Sequence, residues 1–138
     1  MKHLLFPAAV MLAACQAEPA PLVTVSEPRV VALATSAAAY FTLVNSGGRD
    51  RLLAVDAPGV GRAGFHQTRM ADGIMRMRAL QQGIEIPARG RVLLSPSGRH
   101  VMIEGLKQPL TPGSEVRLTL RFERQGEVTV RAPVGAPR

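Results

Sequence analysis

Two histidines and four methionines gather within one stretch of this chain: His66, Met70, Met75, Met77, His100 and Met102. The other His and Met residues, Met1, His3 and Met11, lie in an N-terminal segment that has the character of a cleaved signal. Imidazole and thioether without thiolate make a soft donor set, and among common biological ions that set suits Cu(I) best. The chemistry to be expected is therefore binding of one Cu(I) per chain rather than turnover. No nucleophile–base pair or carboxylate dyad stands out in the sequence, so an enzyme is not expected.

Strand alternation sets each donor against ordinary packing. In residues 100–104 (HVMIE), Val101 and Ile103 share one face and His100, Met102 and Glu104 the other. Met102 is thus expected to point away from the core in company with a histidine. Phe65 and His66 also face opposite ways, with Phe65 as the core member. Met75 and Met77 share a face with Ala79, opposite Arg76 and Arg78, a position in which flexible thioethers also serve as core fillers. Met70 precedes Asp72-Gly73 and falls in a loop or at a strand end.

The first residues set the compartment. Met1-Lys2-His3 is a short positive start, residues 4–14 form an apolar run, and Leu12-Ala13-Ala14 stand before Cys15, the only cysteine. That run falls short of the roughly 20 residues that span a bilayer. Leu-Ala-Ala-Cys resembles a bacterial lipobox, which implies cleavage before Cys15 and lipid on its sulfur. An unmodified cysteine after an ordinary secretory cleavage site is the alternative. Gln16 in the next position leans towards the outer membrane. The organisation expected is a lipoprotein signal peptide over 1–14, a lipidated Cys15 and tether over 15–21, one domain over 22–134 and a short tail over 135–138, anchored by lipid and folded in the periplasm.

The formal net charge of +7 falls to +6 once Lys2 is removed, and nearly all of it is arginine. Nucleic acid is not expected as a partner, since the chain has no basic run and few aromatics to stack bases. Arg69, Arg76, Arg78 and Arg99 flank the His/Met positions, either as a solvated strand surface or as charges that steer an acidic partner. A lone cysteine excludes an internal disulfide.

From Leu22 onward, short β-rich runs are cut by turns. Strands are predicted over 22–25, 29–33, 38–44, 52–55, 63–67, 74–80, 91–94, 100–104, 116–124 and 128–130, with Asn45-Ser46-Gly47-Gly48, Asp72-Gly73 and Gln125-Gly126 among the turns. This density of turns points to a single all-β sandwich. The alanine-rich residues 32–39 carry a helical turn as an alternative.

Residues 65–78 (FHQTRMADGIMRMR), 83–87 (GIEIP), 100–110 (HVMIEGLKQPL) and 116–130 resemble the periplasmic copper chaperones called PCuAC. Their signature is a His, about ten residues, a Met, about twenty more, then His-x-Met. The resemblance implies a cupredoxin-like Greek-key β-sandwich with His66, Met77, His100 and Met102 as copper ligands; the strand pattern leaves Met75 and Met70 open as additional or alternate donors. It implies delivery of Cu(I) to the copper centre in subunit II of a respiratory oxidase, alongside a Sco-type protein. Gln67 departs from the acidic residue expected after the histidine, and the His/Met-rich C-terminal tail of some members is missing. A copper resistance or storage lipoprotein without a dedicated acceptor is the alternative reading. A blue-copper electron carrier is disfavoured, because it needs a thiolate on the metal and Cys15 precedes the domain.

Overall fold

The structure, a computed structural model, describes residues 17–136. The signal-like segment, Cys15 and the last two residues lie outside the described residues. Ten strands follow one another: β1 (Val23–Ala32), β2 (Ala37–Asn45), β3 (Asp50–Asp56), β4 (Arg62–Ala71), β5 (Ile74–Leu80), β6 (Ile84–Ile86), β7 (Arg91–Leu94), β8 (Arg99–Glu104), β9 (Glu115–Phe122) and β10 (Gly126–Gly135). The described residues contain no helix, and residues 33–36 between β1 and β2 are a plain turn closed by Leu33 N–H to the Ser36 carbonyl.

Hydrogen bonding runs in the order β5-β4-β8-β2-β1-β10-β9-β3-β6, with β7 also pairing β2. All pairs are antiparallel except β1 with β10. The path folds into two layers, and the core between them takes alternate residues from both: Val30, Phe41, Leu43, Phe65, Val101 and Ile103 from one, Leu52, Ile84, Leu118 and Leu120 from the other. The neighbours β2–β8, β3–β9 and β1–β10 are distant in sequence, which is the long-return connectivity of a Greek key.

Local chemistry explains where the strands bend and end. β1 continues through the two runs read separately in the sequence, because a bulge between Ser26 and Arg29 absorbs Pro28, which has no N–H to donate, and Glu27 at φ 51°. The β4–β5 hairpin turns on Asp72 and Gly73, at φ 52° and 74°. Two successive positive φ values define the type I′ turn that suits the twist of a two-residue hairpin, and Asp-Gly is a preferred pair for it. β4 and β5 therefore pair all the way from Phe65↔Leu80 to Ala71↔Ile74, and beyond Gln67 the hairpin stands clear of β8, exposed on both faces.

The segment before β1 is bonded to the end of β2. Gly48 N–H donates to the Ala20 carbonyl, Ser46 N–H to the Leu22 carbonyl, and Leu22 N–H to Asn45 Oδ1. Arg49 pairs with Glu18 at 2.7 Å. The approach is so close that a Cβ on Gly48 would lie 1.9 Å from the Pro19 carbonyl oxygen, which explains glycine there.

Candidate metal centre

The register fixes which donors share a face. His66 stands directly opposite His100 on one side and Ala79 on the other. Gly64 faces Met102, Thr68 faces Met77, and Met70 faces Met75. Directly paired residues lie on the same side of an antiparallel sheet, so all six His and Met side chains share one face of β5, β4 and β8. It is the face turned away from the core, since Phe65, Leu80, Val101 and Ile103 occupy the other.

Exposure differs sharply across that face. His100 is only 2% exposed and Met102 8%, whereas Met77 is 55%, Met75 64% and Met70 68% exposed. His100 and Met102 do face away from Val101 and Ile103, as expected, but their side is covered rather than open. The reason is tertiary. β8 is an inner strand between β4 and β2, and the rings of His66 and Tyr40 lie beside His100, with centroids 6.3 and 6.1 Å away. Arg29 in turn lies 4.9 Å over the Tyr40 ring, a cation–π contact. Tyr40, the only tyrosine in the chain, was not singled out by the sequence; its place beside His100 follows from β2–β8 pairing, which no local pattern encodes.

His100 is oriented for a metal. Its Nδ1 lies 3.1 Å from the Gly98 carbonyl oxygen, and since a carbonyl can only accept, Nδ1 carries the proton. In the neutral ring Nε2 then keeps its lone pair for a ligand. The same Gly98 carbonyl accepts from Thr68 N–H on β4, so one oxygen ties the hairpin to the β7–β8 turn and sets the ring.

Burial pushes the His100 pKa below the ordinary histidine value; the Gly98 hydrogen bond opposes this, and the nearby His66 adds to it. The folded chain therefore binds fewer protons than the unfolded chain once pH drops below about 6.5. Stability contributed by neutral His100 is present above that value and is lost as pH falls through the lowered folded pKa. Denaturant midpoints of the apo-protein should be lower at pH 5 than at pH 7.5; an equal or higher midpoint at pH 5 would refute this.

The geometry has room for an ion. With metal–nitrogen bonds of about 2.0–2.1 Å, two imidazoles on one ion have ring centroids roughly 5–6 Å apart, and the observed 6.3 Å needs only a small movement of His66. The positions directly opposite His66 and Met102, Ala79, Ala38 and Gly64, are small, and a Cβ on Gly64 would meet nothing within 4 Å. Met102 and Met77 are both diagonal neighbours of His66, about 7–8 Å away, but on opposite sides of it. His66, His100 and Met102 thus form a compact inner group. Met77 reaches it from the hairpin and belongs equally to the outer methionines, while Met70 and Met75 lie further out. Among the described residues no three His, Cys, Asp or Glu side chains come together, so harder ions have no comparable donor set here.

The arginines adjacent in sequence are on the other side. Arg69 pairs with Arg76, and Gln67 lies between Arg78 and Arg99, all on the face opposite the methionines. Any pull they exert on a partner acts through the field around the hairpin rather than by contact at the donor atoms.

This is the sandwich of a PCuAC domain. Residues 23–134 match the LpqE-like lipoprotein family, and the chain belongs to it. Lipoprotein Lxx21020 of Leifsonia xyli subsp. xyli is 32% identical over 114 residues, which span 81% of this chain and 69% of that one. The copper-bound PCuAC domain from PmoF2 superposes with a TM-score of 0.68 at 29% identity, covering 83% of this chain and 93% of that domain. The Cu(I) form of DR1885 from Deinococcus radiodurans gives a TM-score of 0.60 at 29% identity, covering 94% of this chain and 86% of that one.

Proposed function

We propose that this protein is a cell-envelope Cu(I) chaperone, in which His66, Met77, His100 and Met102 hold one ion and pass it to the copper centre in subunit II of a respiratory oxidase, with a Sco-type protein as a further exchange partner. The observation that carries the reading is the gathering of two histidines and four methionines on one non-core face, with the free Nε2 of His100 beside His66. The copper-bound and Cu(I)-bound relatives support it.

The gradient of exposure suits transfer. An acceptor meets Met77 first, on the edge strand β5, and can replace it with a ligand of its own while His100 and Met102 still hold the ion. His66, half-buried, is next. Thioethers bind without losing a proton and do not form disulfides in an oxidising compartment, so neither acid release nor a reductant is required for each cycle. Family membership supports lipid attachment at Cys15 in the periplasm. Between Cys15 and Glu18, where the chain is already bonded to the domain, three residues span at most about 10 Å. The domain would work close to its membrane, here taken to be the outer one.

Copper-loaded protein should metallate the soluble copper domain of oxidase subunit II faster than a small Cu(I) chelate buffered to the same free ion concentration, followed by the spectrum of the assembled centre. Equal rates would leave a copper-binding lipoprotein of resistance or storage and remove the chaperone assignment.

A further inference from the structure

We infer that Met70, Met75 and Met77 form a second, outer Cu(I) site at the tip of the β4–β5 hairpin, and that the ion enters and leaves the inner site through it. This rests on the Cu(I) reading above. Met70 stands directly opposite Met75, where Cβ atoms are about 4.5–5.5 Å apart, and Met77 is diagonal to Met70 at about 7–8 Å. Met75 and Met77 alternate along the same strand and so share its face. Met77 stands opposite Thr68 and diagonal to Met70 on one side and to His66 on the other, so it reaches both groups, while β4 and the His66 diagonal separate Met70 and Met75 from Met102.

Packing does not account for them. All three are more than half exposed, on a hairpin that has left the sandwich and has solvent on both sides. Three unbranched thioethers, each with three rotatable bonds, can converge on one ion. The tip has no histidine or cysteine, its only carboxylate is Asp72 in the turn, and Arg69 and Arg76 point away on the reverse face. Such a donor set selects a soft monovalent ion.

Met77 links the two sites. From an ion bound by Met70, Met75 and Met77, transfer inward breaks the bonds to Met70 and Met75 as bonds form to the His66 imidazole, to Nε2 of His100 and to Met102. Copper remains Cu(I) and one set of neutral donors replaces another, so the step needs no oxidant or reductant. Imidazole binds the inner ion more tightly, which gives the transfer its direction on loading. On delivery an acceptor that docks at the hairpin engages the ion at Met77, the donor that the two sites share, and the steps run in reverse.

The experiment is a Cu(I) titration against a coloured chelator, with stopped-flow loading, on the full chain in detergent. Wild-type protein should take up a second, weaker ion. In Met70→Leu/Met75→Leu that second ion should be lost and the first should load about tenfold more slowly, while its final affinity changes less than about threefold. A His66→Ala/His100→Ala variant should keep the weak ion with a sulfur-only shell by X-ray absorption. Wild-type loading and a persistent second ion in the Met70/Met75 variant, whose exposed substitutions leave the core untouched, would overturn the outer site. Tight binding of a single ion with loading insensitive to Met70 and Met75 would remove the outer site alone. No Cu(I) binding by wild-type protein would remove the inner site as well.

Discussion

Replacing His100 by alanine together with Met102 by leucine should weaken Cu(I) binding by at least about a hundredfold, since changes merely to groups behind metal ligands already cost 10–100-fold. Both side chains belong to the covered half of the donor face, and the atoms removed are Nε2, which the Gly98 hydrogen bond leaves free, and a thioether with almost no exposure. The chain should still fold. Met102→Leu nearly conserves volume, at a cost below about 1.5 kcal/mol. His100→Ala opens a cavity beside Tyr40 but outside the main hydrophobic cluster, which has its members on the other face. Chelator competition, with circular dichroism on the same samples, checks both parts. Unchanged affinity in a folded variant would show that the ion is held elsewhere.

The largest effect on stability should come from Asn45→Leu, a change at the opposite end of β2 from the metal face's Ala38. Asn45 is buried, and its amide makes four hydrogen bonds: Oδ1 accepts from Leu22 N–H at 3.2 Å and Gly47 N–H at 3.0 Å, and Nδ2 donates to the carbonyls of Gly48 at 2.7 Å and Pro87 at 3.0 Å. Leucine leaves four backbone groups without this partner. At about 1 kcal/mol or more for each, the loss is on the order of 3–5 kcal/mol, or roughly 10–20 °C in Tm for a domain of this size. Asn45→Asp should be nearly as harmful, because its oxygens accept from the two N–H groups yet oppose the two carbonyls. Calorimetry measures it; a drop of less than about 3 °C would mean that water replaces the side chain. The same residue holds the segment that leads from Cys15, so Asn45→Leu should also open residues 18–22 to proteases.

Some of this structure is local chemistry, and that part was readable. His-Val-Met-Ile-Glu alternates as β8 does, so His100 and Met102 could be placed together and away from Val101 and Ile103 before any fold was known. Asp72-Gly73 announced a turn, though not that β4 runs on to Ala71 and takes Met70 into the strand. What the sequence withheld depends on strands that meet across long separations. The burial of His100 comes from Tyr40 on β2 and His66 on β4, and the length of the hairpin beyond β8 comes from where β8 stops at Arg99. β6, with three residues, is too short to show alternation, and is held as a strand by pairing with β3. The arginines illustrate the same limit. Their closeness to the methionines in sequence is closeness across a strand, and period-two alternation sends them to the reverse face.

The central claim is that one Cu(I) sits among imidazole and thioether donors on the non-core face of β4, β5 and β8. The most direct test is X-ray absorption of the protein loaded with a single equivalent of Cu(I). The account predicts a mixed shell, with nitrogen at about 2.0 Å and sulfur at about 2.3 Å, and loss of the nitrogen component in His66→Ala/His100→Ala. A shell of oxygen alone, or nitrogen scattering that survives removal of both histidines, would contradict it.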